Sequence, residues 1–198
     1  GEGEGEVVPL PNNVIAVDKR HTGGPQDGRS WAHAFNEIQE ALDAAITLPN
    51  AEVWVAAGNY NERRANEGAL QLRSGVALYG GFSGTETARD QRNATANVTL
   101  IEGATSNAGA PAVRVVIGAD LSSIDGFTIR GGNGPAGGGM VNNNASPTVS
   151  NCIFTANTAQ SFGGGVYNLA GARPVFNGCE FFGNTAGLGG GGIANTAS

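Results

Sequence analysis

Three copies of one short string constrain what this chain can fold into. Gly-Gly-Gly-Met-Val-Asn at 137–142 returns as Gly-Gly-Gly-Val-Tyr-Asn at 163–168 and as Gly-Gly-Gly-Ile-Ala-Asn at 190–195. The period is 26 and then 27 residues, and the filling repeats with it: Pro147, Cys152, Phe154 and Asn157 come back as Pro174, Cys179, Phe181 and Asn184. A fixed period in the twenties marks a solenoid, in which one repeat is one coil and equivalent positions stack along an axis.

The pattern inside a unit selects the kind of solenoid. Val149, Cys152 and Phe154 stand among Ser150, Asn151 and Thr155, in short runs bounded by Asn, Gly and Pro. Such runs read as strands. The unit has neither the Leu frame of a leucine-rich repeat nor the helix formers of paired-helix repeats. The expected fold is therefore all-β, a parallel β-helix with three strands per coil, each paired with its counterpart about 4.8 Å away.

Upstream of the repeats the chain is less regular. Residues 1–13 read as a Gly/Glu-rich extended lead-in, flexible or weakly extended over the Gly-Glu alternation of 1–6. A β-prone run at 14–17 and a turn-rich loop at 21–28 come next. Ser30 then offers an N-cap to a segment whose apolar residues Trp31, Ala34, Phe35, Ile38, Leu42, Ala45 and Ile46 share one helical face. A cap helix over about 30–47 would cover the unpaired edges of the first coil. Further strands are expected at 52–56, 70–72, 76–79, 98–101, 113–117 and 124–129, in irregular coils over 50–120 with a protruding loop at 83–97. Regular repeats fill 121–198. The last one stops at Ser198 before its remaining strands, which points to a longer protein or to a subunit seated on that end. With 40% hydrophobic and 14% charged residues, one domain over 14–198 is the expectation.

These residues resemble known families. Ala16-Val17-Asp18, the run 27–32 (Asp-Gly-Arg-Ser-Trp-Ala), Ala34-Phe35, Ile38-Gln39 and the run 41–45 (Ala-Leu-Asp-Ala-Ala) are similar to the N-terminal cap of bacterial pectin-lyase-like right-handed β-helix proteins. The runs 53–60 (Val-Trp-Val-Ala-Ala-Gly-Asn-Tyr) and 78–86 (Leu-Tyr-Gly-Gly-Phe-Ser-Gly-Thr-Glu) resemble that family's next landmarks. Phe154-Thr-Ala-Asn157 and Phe181-Phe-Gly-Asn184 resemble the Phe-x-x-Asn element of the polymorphic outer-membrane protein repeat, although Gly165 and Gly192 stand where that repeat favours Ala. The resemblance implies a right-handed helix. It leaves activity open, because the fold hosts lyases, hydrolases, adhesins and surface proteins.

The distribution of chemistry narrows the choice. Enzymes on this fold need carboxylates on neighbouring rungs, holding calcium or acting as an acid–base pair. From Gly126 to Ser198 the only acid is Glu180 and the only bases are Arg130 and Arg173. Earlier candidates are Asp120 with Asp125 and Arg114, and Asp18 with Asp27 and His21, the latter a conceivable calcium loop against a default of Asx turns. No catalytic, cofactor-binding or metal-ligating residue is assigned. His21 and His33 lack partners at zinc-ligand spacing. The Gly triplets recur with the coil and fit tight corners or close backbone approach. Cys152 and Cys179 share one slot of successive coils and are expected as a free stacked pair. Asn157 over Asn184, and Asn142 over Asn168 over Asn195, are expected to form amide ladders that stabilise turns. Asn93, Asn97 and Asn144 open Asn-x-Ser/Thr sequons, relevant only in a host that glycosylates them.

A net charge of −6 with one lysine, Lys19, argues against nucleic-acid binding, and no apolar run is long enough for a membrane helix. The favoured expectation is a secreted or cell-surface module, structural or adhesive and without catalysis, that associates with itself into filaments or with other surface proteins. The alternative is a carbohydrate-active enzyme or glycan-binding domain using Trp54, Tyr60 and Tyr79 against sugars. An ice-binding face would need a larger threonine array than Thr158 over Thr185.

Overall fold

The computed structural model describes residues 7–196; the Gly-Glu alternation at 1–6 and the terminal residues 197–198 lie outside the described residues. The chain winds into a right-handed parallel β-helix of about five coils. The first sheet runs in order through Val14–Val17, Glu52–Ala56, Ala77–Phe82, Ser123–Asp125, Thr148–Ser150 and Val175–Asn177, every pair parallel. The second holds Gly58–Tyr60, Thr99–Glu102, Thr128–Arg130, Ile153–Thr155 and Glu180–Phe182. The third holds Leu70–Gln71, Val116–Ile117, Met140–Asn143, Val166–Leu169 and Ile193–Asn195. The regular coils add a fourth, two-residue strand beyond the expected three: Asn133–Gly134, Thr158–Ala159 and Thr185–Ala186.

The core follows from register. Alternate residues of a strand face one side of a sheet, so pairing in register turns each inward position into a column. One column is Ile15, Val53, Leu78, Ile124, Val149 and Phe176. A second is Tyr60, Ile101, Ile129, Phe154 and Phe181, whose last two rings stack at 4.9 Å between centroids. A third is Leu70, Val116, Met140, Val166 and Ile193. These columns meet in one apolar cluster along the axis. The stretch expected as one strand at 124–129 is two strands in two sheets, because Gly126 takes φ +82° and turns the corner between them.

At the N-terminal end the cap differs from expectation. Residues Trp31–His33 form only a 3-10 turn, and the α-helix is Ile38–Ala45. Ser30 is extended (φ −152°, ψ 166°) and makes no capping bond. The periodicity misled because Phe35 is held in a parallel bridge to Val17: its N–H donates to Ala16 O, and its carbonyl accepts from Asp18 N–H at 2.8 Å. Two segments thus divide the work of capping. Residues 28–35 satisfy the outer edge of the first strand, while Ile38, Ala41, Leu42 and Ala45 of the helix are buried on the end of the core. Within the lead-in expected at 1–13, Leu10 is buried in a side cluster with Val14, Ala16, Ala34, Trp54 and Phe82.

Candidate functional site

In the regular coils the recurring polar residues bond from rung to rung. Asn142 Nδ2 donates to Asn168 Oδ1, and Asn168 Nδ2 to Asn195 Oδ1, both at 2.8 Å. The register places Gly118 one rung before Asn142. A Cβ there would sit 1.9 Å from Asn142 Oδ1, so the ladder ends against bare backbone and that buried oxygen has no partner. At the other corner Asn157 Nδ2 donates both to Ile129 O (3.0 Å) and to Asn184 Oδ1 (3.1 Å), while Asn157 Oδ1 accepts from Gly132 N–H. The Asn157 and Asn184 amides therefore satisfy backbone groups at their corner, whereas the side-chain bonds of the Asn142 ladder run only from one Asn to the next. Cys152 and Cys179 are both free. Burial pushes the Cys152 thiol up to about 12 and raises Cys179 as well, so neither is a ready nucleophile.

The early coils carry different chemistry. The strand Ala77–Phe82 shifts register at Gly80-Gly81 and launches residues 83–97 across the outside of the first sheet. This excursion folds back and is pinned. The Glu86 carboxylate accepts from the N–H groups of Ser83 (2.7 Å), Gly84 (3.1 Å) and Thr85 (3.0 Å). Burial by itself would raise the Glu86 pKa; the backbone donors outweigh it and hold the group below the ordinary carboxylate value. The Glu86 carbonyl takes the Trp31 indole N–H at 2.8 Å, and Trp31, Phe82 and Trp54 pack in series. That arrangement gives the run 78–86 a structural meaning. Farther along, Arg89 bonds Glu52 and Arg92 bonds Asp125, at 2.7 and 2.6 Å, with both guanidinium groups over the Tyr79 ring.

None of the proposed acid groupings assembles. Asp125 pairs with Arg92, Asp120 accepts from Ser146 N–H, and Arg114 faces Glu67 at 3.6 Å. Asp18 pairs with Arg20, whereas Asp27 caps Arg29 N–H and lies 3.7 Å from His33. Among the described residues no three His, Cys, Asp or Glu side chains converge to hold a metal ion. Trp54 and Tyr60 are buried and offer no ring to a sugar, and Tyr79 is taken by its two arginines. No helix of the described residues is long and apolar enough to cross a membrane.

Two features escaped the sequence. Arg64 is buried in an early coil, where it donates to the Tyr60, Gly68 and Glu102 carbonyls and lies 3.3 Å from Glu62. Only Glu62, two residues before it, gives a hint of this, because the hydrogen-bond acceptors of Arg64 are backbone oxygens. The second is a cleft of about 410 Å³ between the end of the excursion, Ala94, Thr95 and Val98, and the outer row Thr128, Ile153 and Glu180 of the second sheet. Gly126, Asn151 and Gly178 form its other rim.

The family model described as "Protein of unknown function (DUF1565)" matches residues 24–198. No curated protein and no solved structure matches the chain.

Proposed function

The chain belongs to that family, whose description assigns no activity, and from its construction we propose that it is a non-catalytic structural or adhesive module of a bacterial cell-surface protein. The resemblance of its landmarks to pectin-lyase-like surface proteins supports this reading. The observation that carries it is the chemistry of the regular coils. Between Gly126 and Ser198 the only side chains charged at neutral pH are Glu180, Arg130 and Arg173, and Arg130 is tied to Glu102 at 2.7 Å. The same stretch is held by neutral ladders repeated in register. A surface built this way suits a stiff spacer that meets copies of itself or other surface proteins through shape and backbone rather than through reacting groups.

The test joins two measurements on purified protein. Electron microscopy and size-exclusion chromatography should show rods or end-joined filaments. An assay on acidic polysaccharides, with and without calcium, should release no unsaturated products. Turnover in that assay, abolished by replacing Asp125 or Asp120, would overturn the module reading in favour of a lyase.

A further inference from the structure

We propose that the cleft beside residues 94–98 is a binding site for an amine-bearing saccharide, with Glu180 as the group that selects the amine. Its volume of about 410 Å³ lies within the usual size of small-ligand sites, roughly 300–1,000 Å³. The walls mix hydroxyl and amide groups, Thr95, Thr128 and Asn151, with the apolar faces of Val98 and Ile153. That combination suits a ring carrying alcohols on its edge and C–H groups on its faces. The floor is rigid and periodic: Thr128, Ile153 and Glu180 occupy successive rungs in register. Rungs repeat at about 4.8 Å, comparable with one sugar ring, so a glycan lying along the axis would present successive units to successive coils.

Charge decides the class. Glu180 is the one charged side chain in the lining, it is exposed, and it has no ion pair among the described residues. Arg92 and Arg130 are engaged elsewhere, Arg92 with Asp125 and Arg130 with Glu102. An acidic sugar would meet a carboxylate with no cation to offset it, and the net charge of −6 adds to that repulsion. An ammonium group would be attracted on both counts. A lysine or arginine side chain could reach the same carboxylate, but it would leave the hydroxyl and amide wall unused.

The experiment is a calorimetric or NMR titration of the folded chain with oligomers of glucosamine, of N-acetylglucosamine and of galacturonate, and with an oligolysine peptide. The glucosamine oligomer should bind up to about fivefold more tightly than the N-acetylglucosamine and galacturonate oligomers, the most that one exposed charge pair supplies, and more tightly than oligolysine, which leaves the hydroxyl and amide wall unused. The preference should weaken as salt is raised. Glu180→Gln should remove it, and adding Val98→Arg to that variant, which places a cation at an exposed wall position, should reverse it toward galacturonate; circular dichroism confirms that both variants fold. Equal affinity for the acetylated or acidic oligomers, tighter binding of oligolysine, or no binding of the glucosamine oligomer to the folded protein would each overturn the proposal.

Discussion

Between residues 123 and 195 the polar side-chain contacts between coils come mainly from neutral residues repeated in one slot, whereas between 52 and 117 such contacts are each made once. The Asn and Phe slots of the late coils bond or stack on their own copies, and the Cys152 and Cys179 thiols each meet a carbonyl of the preceding coil, Ile124 O and Val149 O. In the early coils Arg64 reaches three carbonyls, and Glu86 closes a loop that Trp31 then anchors. The late mode shares stability over equivalent sites, and the early mode concentrates it in a few unlike ones. Single substitutions should therefore be most damaging in the early coils, which is the comparison the following predictions test.

The largest loss is expected for Arg64→Ala. The side chain is almost fully buried and its partners are carbonyls and Glu62; removing it leaves buried acceptors and a carboxylate without compensation, at about 3–5 kcal/mol. Chemical denaturation should show it, and hydrogen exchange should locate the loosening at residues 58–70. Next comes Gly138→Ala in the late coils, where a Cβ would lie 2.3 Å from Thr158 O and 2.9 Å from Gly164 O. Backbone must move, at about 2–3 kcal/mol. Gly191→Ala, in the same slot of the last coil, meets Asn184 O only at 3.0 Å and should cost less. A Gly138 loss exceeding that of Arg64 would break the comparison.

The same contrast explains what could be read from the chain beforehand. A slot that recurs every 26 or 27 residues is visible as soon as the units are aligned, so the parallel helix, the inward columns and the pairing of Asn142 with Asn168 and Asn195 could be derived from spacing. Arg64 and Glu86 bond to backbone groups that carry no residue signature, and they stayed hidden. The helix start failed for a related reason: Trp31, Ala34 and Phe35 do face the interior, but through a bridge to Val17 and a side cluster rather than on a helix. The cleft was hidden too, since it needs residues 94–98 beside rungs 128, 153 and 180, a juxtaposition made by the excursion's path.

Within the late coils the ladder itself can be cut. Asn168→Ala removes the middle rung, leaving Asn142 Nδ2 without its acceptor in a buried position, at about 1–3 kcal/mol. Asn195→Ala, on an exposed rung, should cost less, and equal losses would mean that the ladder does not act through burial. In the early coils acid makes the matching cut. The folded Glu86 pKa lies below its ordinary value of 4.5, so its contribution is fully present above that value and is lost as pH falls through the depressed folded pKa. Glu86→Gln should lower stability at neutral pH by roughly 1–2 kcal/mol and flatten the acid limb of the stability profile; an unchanged limb would remove Glu86 as the loop's lock.

The smallest effect is a gain, and it bears on why the late coils tolerate repetition. The corner after the second sheet is built in the left-handed region in three successive coils, by Gly131 at φ +82°, Ala156 at φ +52° and Gly183 at φ +63°. Only the middle coil places a side chain there. Left-handed backbone costs a non-glycine residue about 1–2 kcal/mol, partly offset by the greater chain entropy glycine loses on folding. Ala156 is exposed, so its methyl group contributes little packing, and Ala156→Gly should stabilise the protein by about 0.5–1 kcal/mol. Gly183→Ala is the reciprocal change, because a Cβ there meets nothing nearer than Thr155 Oγ1 at 3.5 Å; it should cost a similar amount. Thermal melts of the two variants and of the double exchange should show opposite shifts that nearly cancel. Cancellation would establish that slots in these coils are energetically interchangeable. A residual shift would mean that position along the axis matters even where the sequence repeats.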